Sequence, residues 1–562
     1  MPDELFNARE MAELLFPDVT KTPEDMEKLY PARQLPEGAK VTRFAPSPTG
    51  FVHFGGLFPA MAGERLAHQS GGVFYLRIED TDAKREVEGA AEGLINTLAY
   101  YGIHFDEGVT ADGEKGAYGP YRQSDRAEIY HVYAKKLVQE GKAYPCFCSK
   151  EEQEELDRQD KKELLREKDW HEADAERLAQ QAQWRSITLE EARAHVKAGD
   201  PYVLRLLAGG DPEKKIRVTD LVRGNLEIPE NDEDIVLLKN DGIPTYHFAH
   251  AVDDHLMGTT HVIRGEEWLP SLAKHLMLFS SLGFRAPKYM HIAQLMRLDE
   301  NGGRKKLSKR DMGANMEDYR RLGYAPECVR EYVMTLLNSN YEEWRAANPD
   351  RDYRDFPFSP KKMSVSGCLF DMDKLNDVSK NTIARMSAAQ VAGEVRAWAA
   401  DFDPAFSALL EADPEKTEQI FAIGRGGKKP RKDLACWGGA KEYMGFFFAP
   451  LMNRNLTFDE RFPKEKIREI LNSYRQSYTL ETDNSGWFNH VKELAEQFGF
   501  CSNMKAYKAD PDAYPGHVGD ISGFIRMAVT GQTNSPDLFT VMTILGKDEC
   551  DRRLEEAAAA LA

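Results

Sequence analysis

Three clusters in this chain carry residue types suited to phosphates, carboxylates and ammonium groups. Arg43-Phe44-Ala45-Pro46-Ser47-Pro48-Thr49-Gly50 is followed at once by His53-Phe54-Gly55-Gly56. This puts a guanidinium, a hydroxyl and an imidazole near two glycines that let a phosphate approach backbone N–H groups at a helix start. Arg77-Ile78-Glu79-Asp80-Thr81-Asp82, with Arg85 beyond, gathers three carboxylates that could bind an ammonium or a metal. Gly302-Gly303-Arg304-Lys305-Lys306-Leu307-Ser308-Lys309-Arg310 is a glycine-led cationic loop suited to charge developing on a transferring phosphoryl or nucleotidyl group. Each has a plainer reading when taken alone. These are a Pro/Gly loop, a helix start capped by Thr81 or Asp82, and a solvated basic loop.

The elements around them give the clusters a frame. Val41–Ala45 reads as a short buried strand, Leu57–His68 as a helix stopped by Gly71-Gly72, and Val73–Ile78 as a second strand. Strand, Gly/Pro-rich loop, helix, strand is the βαβ pattern of a parallel nucleotide-binding sheet. Tyr202–Leu207, Ile235–Lys239, Ile243–Ala251 and His261–Arg264 read as further sheet elements. Asp125–Leu137 reads as a core-facing helix, Lys150–Lys197 as charged surface helices, and the chain from Asp373 onward as helical. In the first 40 residues Phe6, Met11, Leu14 and Leu15 form one apolar helical face, and Pro31–Gly38 reads as a linker.

Composition bounds these readings. The 562 residues carry a formal charge of -18 and are 42% hydrophobic and 30% charged. That length predicts about three to five domains. Mean hydropathy is -0.56, and no apolar run is long enough to span a bilayer. The acidic balance weighs mildly against nucleic acid, although local basic patches decide that question. Seven cysteines, odd and sparse, fit a reducing cytoplasm better than a disulfide scaffold. The acidic N-terminus shows no secretory or transit signal.

Arg43–Gly50 (RFAPSPTG), His53–Gly56 (HFGG), Arg77–Asp82 (RIEDTD), Val262–Trp268 (VIRGEEW) and Lys306–Arg310 (KLSKR) occur in that order. Together they resemble the class I glutamyl-tRNA synthetases, and Phe370–Leu375 (FDMDKL) resembles that family's junction before the anticodon-binding region. The resemblance implies an α/β chain: a Rossmann-like class I catalytic domain with an inserted acceptor-binding subdomain, then an all-α C-terminal anticodon-binding region. The implied divisions are 1–40 (extension), 41–145 and 241–300 (catalytic halves), 146–240 (insertion), 301–375 (second ATP motif and stem contact) and 376–562 (anticodon region). The implied activity is glutamate–tRNA ligation in two steps. L-Glutamate attacks the ATP α-phosphate, giving glutamyl-adenylate and pyrophosphate, and the terminal ribose of tRNA-Glu, with tRNA-Gln left open as a second acceptor, then takes the acyl group. A cytoplasmic monomer with no membrane partner is implied, with Mg²⁺ accompanying ATP.

The same resemblance assigns roles. Glutamate contacts fall on Arg43, Ala45, Ser47, Glu79, Tyr246, His250 and Arg264. Glu79 suits the ammonium, and Arg43 and Arg264 suit the side-chain carboxylate. ATP contacts fall on His53, Gly55, Gly56, Glu267, Trp268, Lys306 and Lys309, with His53 and Lys309 at the reacting phosphates. This chain departs from the pattern at Gly56, where the wider class has His, and at His250, where the family usually has Asn. An imidazole can replace one amide hydrogen bond but not both.

Cys146 and Cys148 suggest the zinc site some relatives carry in this insertion. Four ligands are needed, and His171 is the only nearby addition, so no zinc is expected. Gly424–Lys432 is the strongest basic patch of the C-terminal half, equally suited to a tRNA backbone and to a solvated loop. A glutaminyl enzyme is disfavoured because Pro46–Gly50 lacks an acidic residue and Arg264 is present. A short relative that modifies a tRNA base is disfavoured by the long helical region. A non-catalytic paralogue is disfavoured by the intact His53, Glu79, Arg264 and Lys309.

Overall fold

The computed structural model describes residues 2–48, 50, 52–82, 87, 89–148, 183–299, 301–306, 315–427 and 429–562. The chain divides into two compact units. One is Met1–Met316 with Val333–Phe370, and the other is Glu317–Tyr332 with Asp371–Ala562.

The first unit is built on parallel strands. β1 (Val41–Phe44) pairs with β2 (Val73–Leu76), which pairs with β3 (Glu107–Thr110); β4 (Gly113–Lys115) closes that edge antiparallel. The Phe54–His68 helix crosses between β1 and β2, burying Leu57, Phe58, Met61 and Leu66. Gly72 is required where β2 begins, since a Cβ there would lie 1.9 Å from the Lys40 carbonyl oxygen.

The insertion follows β5 (Ala143–Cys146), which pairs antiparallel with β6 (Val203–Leu206). β7 (Lys215–Asp220) and β8 (Gly224–Pro229) form a hairpin, and β9 (Ile235–Leu238) returns to β6. β10 (His261–Gly265) and β11 (Lys288–Ile292) then form a second parallel ladder. The Thr260 amide donates to the Val41 carbonyl at 3.0 Å, and the Val41 amide to Thr260 Oγ1 at 2.8 Å. β10 therefore starts beside β1. The chain leaves β1 in one direction for β2 and reaches β10 on its other side, which makes this the point where strand order reverses. A small sheet of β12 (Leu295–Leu298), β13 (Arg304–Lys306) and β14 (Cys368–Leu369) follows.

One local expectation changes. Ile243–Ala251, read as a strand, is extended only to Thr245; Tyr246–Leu256 is a helix. Phe248, Ala249, Val252 and Leu256 all face its core, a helical spacing that the run of β-prone residues masked. The helix start read at Thr81 or Asp82 borders residues outside the described ones; among the described residues the next helix begins at Ala90 after Gly89.

The N-terminal extension is part of this unit. The Pro2–Leu15 helix buries Met11 and Leu15. Lys135, on the Ala127–Gln139 helix, reaches Glu13 Oε2 and the Val19 carbonyl, each at 2.8 Å. The stretch read as a linker is pinned by Arg33. Its guanidinium makes two 2.8 Å bonds to Glu107, donates to the Met257 carbonyl at 2.7 Å and lies 3.8 Å from the Tyr118 ring centre.

The second unit is helical, and its C-terminal part runs from the Met372–Ile383 helix to the Lys547–Ala559 helix. Asp371 caps the Met372–Ile383 helix by accepting from the Asp373 and Lys374 amides. Phe406, Ile420, Leu471, Val491, Ile525 and Leu554 share one core.

Candidate active site

Open α/β sheets bind ligands beyond the carboxyl ends of their strands, where strand order reverses. In this fold those ends carry Arg43 on β1 and Arg264 on β10. Arg43 Nη1 reaches the Ile263 carbonyl of β10 at 3.4 Å. The chain beyond β2 folds over the same edge. The Glu79 amide donates to the Pro46 carbonyl at 3.0 Å, joining the second cluster to the first. Ala45 is half-buried and Ser47 exposed along that loop.

The Tyr246–Leu256 helix supplies the opposite wall. Its first residue, Tyr246, sits 4.4 Å from the Trp268 ring and 5.8 Å from that of His250. Trp268 and the exposed Glu267 come from the short turn of helix after β10. Arg43, Ala45, Glu79, Tyr246, His250, Arg264 and Trp268 therefore lie on adjoining elements, although they are spread over more than 200 residues of sequence.

Buried charge organises this edge. Asp254, one turn beyond His250, accepts from Arg77 Nη1 at 2.7 Å and from Arg43 Nε at 3.3 Å. The two guanidiniums hold its carboxyl well below the usual range. Glu79 accepts from Arg77 Nη2 at 3.1 Å. Burial outweighs the nearby Arg77 and Arg43 charges and pushes Glu79 up to about 7. Asp253 takes the Arg126 Nε, Gln123 amide and Tyr130 hydroxyl donors at 2.7, 2.9 and 2.8 Å. His250 is fully buried, with Nδ1 2.7 Å from Asp254 and Nε2 3.3 Å from the Tyr289 hydroxyl. Both of its nitrogens face protein groups, and burial lowers its pKa to about 4.

His53 is the last extended residue before the Phe54–His68 helix, and Gly55 and Gly56 lie in the first turn. A Cβ on either glycine would make only ordinary contacts, at 3.6 Å from His53 Nδ1 and from Val52 Cγ1 respectively. Among the described residues no contact requires glycine at either position, and a glycine leaves space in front of a helix N-terminus. Lys306 ends β13, paired with Met296. Leu307–Arg310, Lys309 included, lies outside the described residues, as do Arg85 and His171. The Cys146 and Cys148 sulfurs are 3.0 Å apart. Among the described residues no three His, Cys, Asp or Glu side chains gather as metal ligands.

Sequence reasoning missed Asp254, Asp220, His275 and His291. Arg264 Nε donates to His291 Nε2 at 2.9 Å, and its Nη1 to His275 Nδ1 at 2.8 Å. One signal was available: six of the fourteen histidines fall between His247 and His291. In the basic patch, Arg425 donates to the Phe421 and Ile383 carbonyls, and Arg431 pairs with Asp433. Those two cations serve the fold.

A family model described as the catalytic domain of class I tRNA synthetases (E and Q) matches residues 40–376, and an anticodon binding domain model matches 517–558. The glutamate–tRNA ligase of Acetivibrio thermocellus is 47% identical over 549 residues, covering 97% of this chain and 99% of that one. That of Clostridium perfringens (strain 13) is 45% identical over 554 residues, covering 97% and 99%. The crystal structure of a glutamate tRNA ligase from Elizabethkingia meningosepticum, in complex with its amino acid, matches with a TM-score of 0.69. It is 26% identical, and the match covers 93% of this chain and 100% of that one.

Proposed function

The chain belongs to the class I tRNA synthetases for glutamate and glutamine, and from that premise we propose that it joins L-glutamate to tRNA-Glu at the expense of ATP. Glu79 takes the ammonium. Arg264, assisted by Arg43, grips the side-chain carboxylate, and Tyr246 and Ser47 orient the substrate, with Ala45 beside them. This leaves the α-carboxylate as nucleophile toward the ATP α-phosphorus. His53 and the Gly55-Gly56 turn hold phosphates, Glu267 and Trp268 hold the nucleoside, and Lys306 and Lys309 meet the charge that shifts onto pyrophosphate. Mg²⁺, where it accompanies ATP, would be held chiefly by the phosphate oxygens. Its contribution is to neutralise phosphate charge. The tRNA terminal hydroxyl then attacks the mixed anhydride and AMP leaves. No covalent enzyme intermediate is required, so the catalysis is positioning and electrostatics.

We assign 146–240 to the acceptor end of the tRNA, 301–375 to the second ATP motif and stem, and 376–562 to the anticodon. We also propose that the enzyme works as a cytoplasmic monomer. No helix among the described residues is long and apolar enough to cross a membrane.

The observation that carries this reading is Arg264. It is 6% exposed at the end of β10. Among the described residues its Nη2 is a buried donor with no partner. A guanidinium has only donors, so it matches a carboxylate and meets the amide nitrogen of glutamine donor to donor. Losing such a charge-assisted bond costs about 1.5–3 kcal/mol, with a desolvation cost of similar size. That corresponds to roughly 10²–10⁴-fold discrimination. Arg264→Ala should therefore raise the glutamate KM steeply and narrow the glutamate/glutamine ratio, with ATP binding intact. ATP–pyrophosphate exchange with each amino acid measures it, and an unchanged ratio of kcat/KM values would remove Arg264 from this role. Aminoacylation of separate tRNA-Glu and tRNA-Gln transcripts then tests the tRNA partner.

A further inference from the structure

Arg264 differs from the other buried guanidiniums of this edge. Arg43 and Arg77 are both ion-paired with Asp254. Arg264 has no carboxylate partner among the described residues; two histidine rings hold it instead. Both rings are fully buried.

Their protonation follows from their neighbours. A guanidinium cannot accept, so the ring nitrogens facing Arg264 must present lone pairs. The other nitrogen of His291, Nδ1, lies 2.8 Å from Asp220 Oδ2. The Asp220 carboxyl also accepts the Val222, Arg223 and His291 amides, and its pKa is lowered. It is a carboxylate and can only accept, so His291 carries its proton on Nδ1. His275 accepts at Nδ1, and its Nε2 lies 2.8 Å from His247 Nδ1. Its proton is therefore on Nε2. Burial, reinforced by the Arg264 charge, keeps both rings neutral by lowering their pKa values.

We propose that His275 and His291 are the positioning residues of amino-acid selection: two neutral acceptors, in opposite tautomers, fix the Arg264 guanidinium without neutralising it. The full positive charge and the partnerless Nη2 edge are kept for the substrate's side-chain carboxylate. A carboxylate in either ring's place would hold Arg264 equally well but would satisfy its charge, and the advantage of glutamate over glutamine would shrink. Asp220 closes β7, so the insertion reaches this specificity device through His291. The inference rests on Arg264 reading the side chain.

The test is ATP–pyrophosphate exchange with glutamate, glutamine and ATP each varied, on Arg264→Ala, His275→Phe, His291→Phe, His275→Asn and His291→Gln. The Phe variants keep the ring volume and remove the acceptor. The Asn and Gln variants return a carbonyl near the lost Nδ1 or Nε2. Each Phe variant should raise the glutamate KM by about ten- to a hundredfold, the value of one lost charge-assisted bond. It should also narrow the glutamate/glutamine ratio and leave the ATP KM within about twofold, a much smaller change than that one bond. The Asn and Gln variants should recover most of the loss. If Arg264→Ala leaves the ratio unchanged, the reading of the site fails before the histidines are reached. If Arg264→Ala collapses it while folded Phe variants keep the wild-type glutamate KM, the positioning role is overturned. It is also overturned if the Asn and Gln variants fail as badly as Phe, with the glutamate and ATP constants moving together. Should the Phe variants not fold, nitrogen-15 shifts of the histidines in the wild-type protein decide. They should show Nδ1–H on His291 and Nε2–H on His275 near neutral pH, and any other pair of states overturns the proposal.

Discussion

Glu79 sits beside two guanidiniums and still has its pKa raised to about 7, because burial costs its charged form more than Arg77 and Arg43 return. Asp254 works in the same direction, as a like charge from the facing helix. The sign of the consequence is set. Below about 7 the free enzyme holds a proton on Glu79, and a neutral acid cannot pair with the substrate ammonium. Glutamate affinity should fall with acid, approaching about tenfold per pH unit. Calorimetry at pH 6 in two buffers of different ionisation enthalpy should show release of about one proton on glutamate binding, fading by about pH 8.5. Equal affinity at pH 6 and 8 would mean that Glu79 does not hold the ammonium. His250 illustrates a different point at this scale. Its two ring nitrogens lie 2.7 Å from the Asp254 carboxyl and 3.3 Å from the Tyr289 hydroxyl, so the imidazole is packed among protein groups.

At the scale of elements, the carboxyl edge is held by charges buried between strands and helices. Asp253 anchors the Tyr246–Leu256 helix to Arg126 and Gln123, and Arg77 Nε lies 3.8 Å away. Asp253→Asn would leave Arg126 buried without a countercharge, which costs about 3–5 kcal/mol. Urea unfolding measures it, and a loss below about 1 kcal/mol, a surface-pair value, would show that the cluster does not hold the helix. The β12–β13 hairpin is a second such element. Gly302 takes φ +78 at its turn, and the Asp299 carboxyl accepts the Asn301 and Gly303 amides. The hairpin ends at Lys306, where the proposed second ATP motif begins in the sequence. Lys309→Ala should slow adenylate formation about 10²–10³-fold, with glutamate affinity nearly unchanged. Full exchange activity in that variant would discard the assignment.

At the scale of the molecule, the first 40 residues brace the catalytic unit. Arg33 joins Glu107 at the end of the sheet to the C-terminal end of the Tyr246–Leu256 helix through the Met257 carbonyl. Arg33→Ala strands the largely buried Glu107 carboxyl and should cost about 2–4 kcal/mol. A shift of the first unit's unfolding midpoint reads this, and an unchanged midpoint would return the segment to the status of a linker. The net charge of -18 concerns the molecule as a whole. It places any tRNA contact on local basic surfaces rather than on the average field.

The sequence alone pointed to the family and the class of reaction, through motifs that occur in a fixed order. Arg43, His53, Glu79, Arg264 and Lys309 could be proposed as site residues because the motifs that carry the family resemblance place particular residue types at local offsets from strand ends and glycine turns. The βαβ frame was legible for the same local reason. What lay beyond it depended on distant residues meeting. No spacing rule links Arg264 to His275, His291 and Asp220, or Arg33 to Glu107. The Ile243–Ala251 error arose because β-prone residues can form a helix when one side has a core to meet. Protonation was also a tertiary outcome. The raised pKa of Glu79, the neutral histidines and the unpaired charge of Arg264 follow from burial and from the donors and acceptors that folding brings within about 3 Å.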